Sequence, residues 1–139
     1  MFGRFDHIGL IVGDLDAAVS HARERFGLDV ARTAVIPEFG IDAVFLGEGN
    51  GSLELFVFAD PDVQARRLEG LAQRLDHVAF EVDDLDSLAV TLRASGVRFT
   101  GPTRREELVE PFPLGPTRHL WTLPETSAGL ALQFIERSP

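Results

Sequence analysis

Cysteine, lysine and tyrosine are all missing from this chain of 139 residues. Without cysteine there is no thiolate nucleophile, no disulfide and no sulfur ligand for a metal, and without lysine there is no Schiff-base chemistry. All 13 basic residues are arginines, set against 22 acidic ones. The net charge of −9 provides no basic stripe to displace counterions from a phosphate backbone, so no nucleic-acid partner is expected. Long apolar runs are absent too: nothing approaches the roughly 20 residues of a membrane span. No leader-like segment precedes the first strand pattern, so the expectation is a cytoplasmic protein without a membrane partner. The chemistry left to the chain rests on histidine, carboxylates, amides, hydroxyls, arginine or a bound ion.

An apolar fraction of 45% with 25% charged residues suits a globular chain. At this length it fits one domain, residues 1–139, that buries roughly two-thirds of its unfolded surface. Its strongest pattern is internal. Phe5-Asp6-His7-Ile8-Gly9-Leu10-Ile11-Val12-Gly13-Asp14-Leu15-Asp16 returns as Leu75-Asp76-His77-Val78-Ala79-Phe80-Glu81-Val82-Asp83-Asp84-Leu85-Asp86. Such a repeat marks two copies of one supersecondary unit, with a histidine at the same place in each and both facing a shared space.

Each copy reads as βαβββ. In the first, Phe5 to Val12 alternates as a strand, with His7, Gly9 and Ile11 on one face. Asp14 is a helix N-cap, Leu15, Ala18, Val19, Ala22 and Phe26 form the apolar stripe, and Gly27 ends it. Strands follow at 28–35, 41–46 and 52–58, the last two joined by the turn-forming Gly47-Glu48-Gly49-Asn50-Gly51. A connecting helix over about 61–73 leads from module 1 (about 4–58) to module 2 (about 75–137). There the strand 75–82 precedes N-cap Asp84, a helix stopping at Gly96, and strands near 97–100, 118–123 and 130–136. Residues 101–116 carry Pro102, Pro111, Pro113 and Pro116 among charges and read as a long irregular loop, a kind more often functional than decorative. The fold class is α+β: two tandem βαβββ modules forming a curled eight-stranded mixed sheet.

The closing strands also correspond, Leu53-Glu54-Leu55-Phe56 matching Leu132-Gln133-Phe134-Ile135. If each lies beside its histidine strand, the equivalent polar positions are His7, Glu54, His77 and Gln133. Two imidazoles, a carboxylate and an amide oxygen suit Zn, Ni, Co, Mn or Fe, whereas calcium would want more oxygens. A glutamate flanked by Leu53, Leu55 and Phe56 is costly to bury without a cation. Glu136 lies on the opposite face of its strand from Gln133. His21 reads as a solvated helix residue. His119, in step with Trp121, is either a pocket acid–base group or structural, and Glu81 shares a face with His77.

On these residues the chain resembles the vicinal oxygen chelate superfamily, which includes glyoxalase I, methylmalonyl-CoA epimerase, extradiol dioxygenases and bleomycin-binding proteins. The likeness rests on duplicated βαβββ units, an Asp-His pair opening each, Asp-Leu-Asp at each helix start, and Leu-Glu-Leu-Phe or Leu-Gln-Phe closing each. It implies a sheet wrapped around a divalent metal that chelates neighbouring oxygens of a small-molecule substrate, in a homodimer. Asp76 to Leu92 and the ending Gly129 to Gln133 look most like methylmalonyl-CoA epimerase and glyoxalase I, which implies an isomerase or lyase with Glu54 as ligand and base. The chain departs from the epimerase pattern in carrying Ala43 and Gln133 where that enzyme has glutamates, so Glu81 or His119 would have to supply a second proton carrier. Phe45, Trp121 and Arg118 are the expected substrate contacts, Arg118 gripping a carboxylate or phosphate. Two alternatives are an Fe(II) dioxygenase using His7, His77 and Glu54, and a metal-free binding protein stacking a planar drug on Phe39, Phe45, Phe112 and Trp121.

Overall fold

A computed structural model describes residues 3–47 and 51–138; of the expected turn at 47–51, residues 48–50 lie outside the described residues. The chain divides into two compact units at the repeated Asp-His dipeptides: one runs from His7 to Asp76, the other takes the chain from His77 onward together with the residues up to Asp6.

In the His7–Asp76 unit, strand β1 (Arg4–Val12) is followed by helix α1 (Leu15–Phe26) and strands β2 (Val30–Ile36), β3 (Ile41–Leu46) and β4 (Ser52–Phe58). The strands run in the order β2-β3-β4-β1, with β1 and β4 parallel and the other pairs antiparallel. The Asp14 side chain accepts from the Ala17 amide, and Gly27 adopts the left-handed conformation (φ 66°) that closes the helix. Alternation sorts the sheet's two faces. Val12, Leu46 and Leu55 pack with Ala22 under α1, while Ile11, Ile41, Ala43, Phe45, Phe56 and Phe58 form the opposite face. Val63 of helix α2 (Pro61–Leu68) joins that second face. Burying each large apolar side chain there is worth about 2–3 kcal/mol.

The expected connecting helix to residue 73 is shorter than its sequence suggests. It ends at Leu68 because Glu69 (φ 50°) and Gly70 (φ 79°) both take left-handed backbone, and strand β5 (Gln73–Val82) starts directly afterwards.

The unit from His77 onward repeats the plan with β5, helix α3 (Leu85–Ala94), β6 (Phe99–Thr100), β7 (Phe112–Leu114), β8 (Thr117–Thr122) and β9 (Leu132–Arg137). The order is β5-β9-β8-β6, with β5 and β9 parallel and β7 on β8. Val82, Leu85, Leu88, Ala89, Phe99, Leu120 and Phe134 form its core under α3.

Nine strands are present among the described residues, not eight. The ninth, β7, lies in the proline-rich stretch expected to be irregular: Phe112 pairs with His119 and Leu114 with Thr117 across a tight return. Pro113 lies opposite Arg118 in that pairing, and its missing N–H is tolerated because β7 is an edge strand. The remainder of the loop is stapled by the Thr100–Glu107 bridge, the Arg98–Glu107 ion pair and the Thr100 hydroxyl donating to the Glu106 carbonyl at 2.6 Å.

Candidate metal centre

The two units present one residue template twice, and strand register explains why. In the first, parallel pairing sets Gly9 of β1 against Glu54 of β4, and antiparallel pairing sets Phe45 of β3 against the same Glu54. With a period of two, His7, Gly9, Glu54 and Phe45 all point to one face. In the second, Ala79 of β5 is set against Gln133 of β9, and Trp121 of β8 against Gln133. His77, Ala79, Gln133 and Trp121 therefore share a face there. The correspondence continues one step further: Ala43 lies opposite Phe56 as His119 lies opposite Ile135.

All four polar positions are buried, His7 at 2%, Glu54 at 9%, His77 at 8% and Gln133 at 7% exposure. His7 Nε2 lies 3.4 Å from Glu54 Oε1. That exceeds the 2.7–2.9 Å of a charge-assisted hydrogen bond. It matches the roughly 3.0–3.4 Å between neighbouring ligand atoms when each stands about 2.1 Å from a shared ion. The Phe45 ring stands perpendicular to His7 with centroids 5.2 Å apart, and the Arg32 guanidinium carbon lies 3.5 Å from the Phe45 centroid. Phe45 thus walls the imidazole and fixes its plane.

In the second unit Gln133 and His119 are joined, Gln133 Nε2 to His119 Nδ1 at 3.0 Å, and the other imidazole nitrogen meets Thr117 Oγ1 at 2.7 Å. His119 is 7% exposed and stacks on Trp121, the chain's single tryptophan, at 5.6 Å and 15°. Nothing in the sequence marked Thr117; its place opposite Leu114 in the β7–β8 pair could be read only after β7 was known.

Two expected site residues are committed elsewhere. Arg118 precedes His119 and so faces the other side of β8, where it is bonded to Glu136 (2.7 Å) and Asp86 (3.0 Å). Those two carboxylates push its pKa up and engage its donors on that side of the sheet. Glu81 accepts from Arg4 at 2.5 Å and Arg137 at 2.6 Å. The Arg4 hydrogen bond above all, then that of Arg137, holds its carboxyl below the usual carboxylate range, against the opposing effect of burial. A carboxylate so stabilised is a weaker proton acceptor than a free one. Because its folded-state pKa is depressed, its ion pairs stabilise the fold above the ordinary carboxylate range and lose that effect as pH falls through the folded value. Glu81→Gln is therefore expected to leave turnover within about threefold of the parent, since the group touches no reacting atom. Thermal melts should show a lower Tm at pH 7 and convergence with the parent in strong acid. A large loss of turnover with an unchanged melt would return Glu81 to the chemistry.

His21 is exposed on α1, as expected of a solvated residue. No helix among the described residues is long and apolar enough to cross a membrane.

Comparison with known proteins places this template. The profile of the Glyoxalase/Bleomycin resistance protein/Dioxygenase superfamily matches residues 4–123. Mitochondrial methylmalonyl-CoA epimerase of Mus musculus is 30% identical over 98 residues, covering 69% of this chain and 55% of its own. The chain spans about half the length of the mammalian epimerases it matches. Lactoylglutathione lyase of Haemophilus influenzae is 30% identical over 135 residues, 94% of this chain and 90% of its own. Among solved structures, a variant of Streptomyces coelicolor methylmalonyl-CoA epimerase in complex with 2-nitronate-propionyl-CoA aligns with a TM-score of 0.84 at 26% identity over 100% of both chains. With the duplicated βαβββ units and the profile match over most of its length, the chain belongs to the Glyoxalase/Bleomycin resistance protein/Dioxygenase superfamily.

Proposed function

We propose that this protein is a divalent-metal-dependent isomerase or lyase that moves a proton next to a carbonyl in a small oxygenated metabolite or its thioester or thiol conjugate. The observation that carries the reading is the buried His7–Glu54 pair, held at the spacing of two ligands of one ion. His77 and Gln133, both buried on one face of the other unit, are the further ligands this reading assigns. The donor set fits: two imidazoles, one carboxylate and one amide oxygen suit Zn, Ni, Co, Mn or Fe.

A bound ion would supply Lewis-acid stabilisation of the oxygen that gains charge when the neighbouring proton leaves. The remaining work falls to this chain's residues. Glu54 takes the proton from the hydroxyl-bearing carbon next to the carbonyl on its carboxylate and returns it to the carbonyl carbon, while the hydroxyl proton passes to the former carbonyl oxygen, so that carbonyl and hydroxyl exchange places and no atom is lost. Phe45, on the same face as Glu54, keeps water from the proton in transit.

The distribution of acids favours this single-carrier transfer over inversion, which needs a proton carrier on each side. Ala43 presents a buried methyl at the position equivalent to His119, Gln133 is an amide, Glu81 is bound by two arginines, and both ring nitrogens of His119 are engaged, by Thr117 and Gln133. The relatives' names supply the probes: lactoylglutathione and methylmalonyl-CoA. Purified protein should bind close to one equivalent of divalent metal and turn over the first probe, with activity lost on chelation and restored by metal. If no metal binds after reconstitution, the reading fails. Turnover of methylmalonyl-CoA alone, with solvent deuterium entering its α-carbon, would overturn the single-carrier mechanism.

A further inference from the structure

We infer that His119 and Thr117 are positioning residues that set the direction of the Gln133 amide and so present its oxygen, not its nitrogen, to the metal. The inference rests on the proposal that Gln133 is a ligand. Its basis is a hydrogen-bond chain whose polarity is imposed from one end. The chain runs from the Leu114 carbonyl to Thr117 Oγ1 (2.9 Å), from there to His119 Nε2 (2.7 Å), and from His119 Nδ1 to Gln133 Nε2 (3.0 Å).

A backbone carbonyl only accepts. The Thr117 hydroxyl therefore spends its one proton on Leu114 and must accept from His119, which places the imidazole proton on Nε2. In the neutral imidazole Nδ1 is then bare and accepts, so the amide group facing it is the NH2 of Gln133. The amide oxygen is on the other branch by necessity. An amide nitrogen is a poor ligand for a divalent ion and its oxygen a good one, so an inverted Gln133 would cost the site a donor.

The sheet holds each member in place. Thr117 and His119 are two residues apart on β8 and face the same side, Gln133 lies on the neighbouring β9, and the imidazole is stacked on Trp121. The hydroxyl that begins the chain is two hydrogen bonds away from the proposed ligand.

The test is metal affinity and the visible spectrum of the Co(II)-loaded full-length protein. Thr117→Val removes the hydroxyl without changing shape and is expected to weaken Co(II) binding by about 10-fold or more, as loss of an outer partner of a ligand does. Thr117→Ser keeps the hydroxyl and should bind as the parent does. His119→Asn retains an acceptor at the Nδ1 position and should stay nearer the parent than His119→Gln, which does not. Gln133→Ala should weaken binding by itself and make Thr117→Val neutral when the two are combined, the signature of action through the amide. Melts of the metal-free variants show whether each is folded. If Gln133→Ala weakens binding but Thr117→Val and His119→Gln bind like the parent, the positioning role is overturned while Gln133 stays a ligand. If Gln133→Ala binds like the parent, ligand and positioning roles fall together.

Discussion

Replacing Glu54 with glutamine is expected to reduce turnover by about 10²–10⁴-fold, the range associated with removing a positioned general base. Glutamine keeps the length, the shape and one oxygen next to His7, so metal binding should survive with a loss of about 10-fold, while the proton acceptor is gone. Glu54 is 9% exposed, the equivalent strand position in the other unit is the amide of Gln133, and Ala43 supplies only a methyl. Glu54→Asp gives the complementary result: basicity is retained, but the carboxylate is drawn back by one methylene from its 3.4 Å approach to His7, so metal affinity and turnover should fall together. Metal analysis alongside steady-state kinetics separates the two effects. A Glu54→Gln protein that carries a full equivalent of metal and turns over within about threefold of the parent would leave Glu54 as a ligand only and return the base to another residue.

The parts of this design that could be read from the sequence are those governed by period. A period of two sets His7 and His77 two residues before the positions facing Glu54 and Gln133, and the duplication transfers each reading from one half to the other. Helix caps were equally legible, because Asp14 and Asp84 satisfy amides only three residues away. Charges were not. Arg118 reads as a free cation until β9 brings Glu136 alongside it, and Glu81 reads as a lone acid until Arg4 and Arg137 arrive from the two ends of the chain. Strand β7 was hidden by composition, since Pro111, Pro113 and Pro116 signal loop whether or not an edge strand passes between them.

The repeated Asp-His pair shows the same division, and it leads to the largest expected change in stability. Each histidine is preceded by an aspartate that an arginine clamps: Asp6 by Arg137 at 2.9 Å, Asp76 by Arg67 through Nε at 3.1 Å and Nη2 at 2.5 Å. The two clamps look equivalent in sequence and differ in burial. Side-chain exposure is 38% and 18% for Arg137 and Asp6, but 9% and 5% for Arg67 and Asp76, and the Arg67 guanidinium also lies over the Phe58 ring at 5.2 Å. Solvent screens the outer pair to within about 1 kcal/mol. The inner pair is different: Arg67→Met takes the guanidinium from a buried carboxylate and is expected to cost about 3–5 kcal/mol. For a chain of this length that lowers Tm by on the order of 10 °C or more. Asp76 is bonded directly to His77 in the chain, so the peptide carrying that imidazole loosens with it and metal affinity should fall as well. The double variant Arg67→Met, Asp76→Leu removes both charges and should recover most of the lost stability, because an apolar pair of similar volume carries no desolvation penalty. Melts of the metal-free proteins decide the matter: equal, small losses for Arg67→Met and Arg137→Met would show that burial does not distinguish the two clamps, and that the Asp-His repeat is anchored by the strand pairing alone.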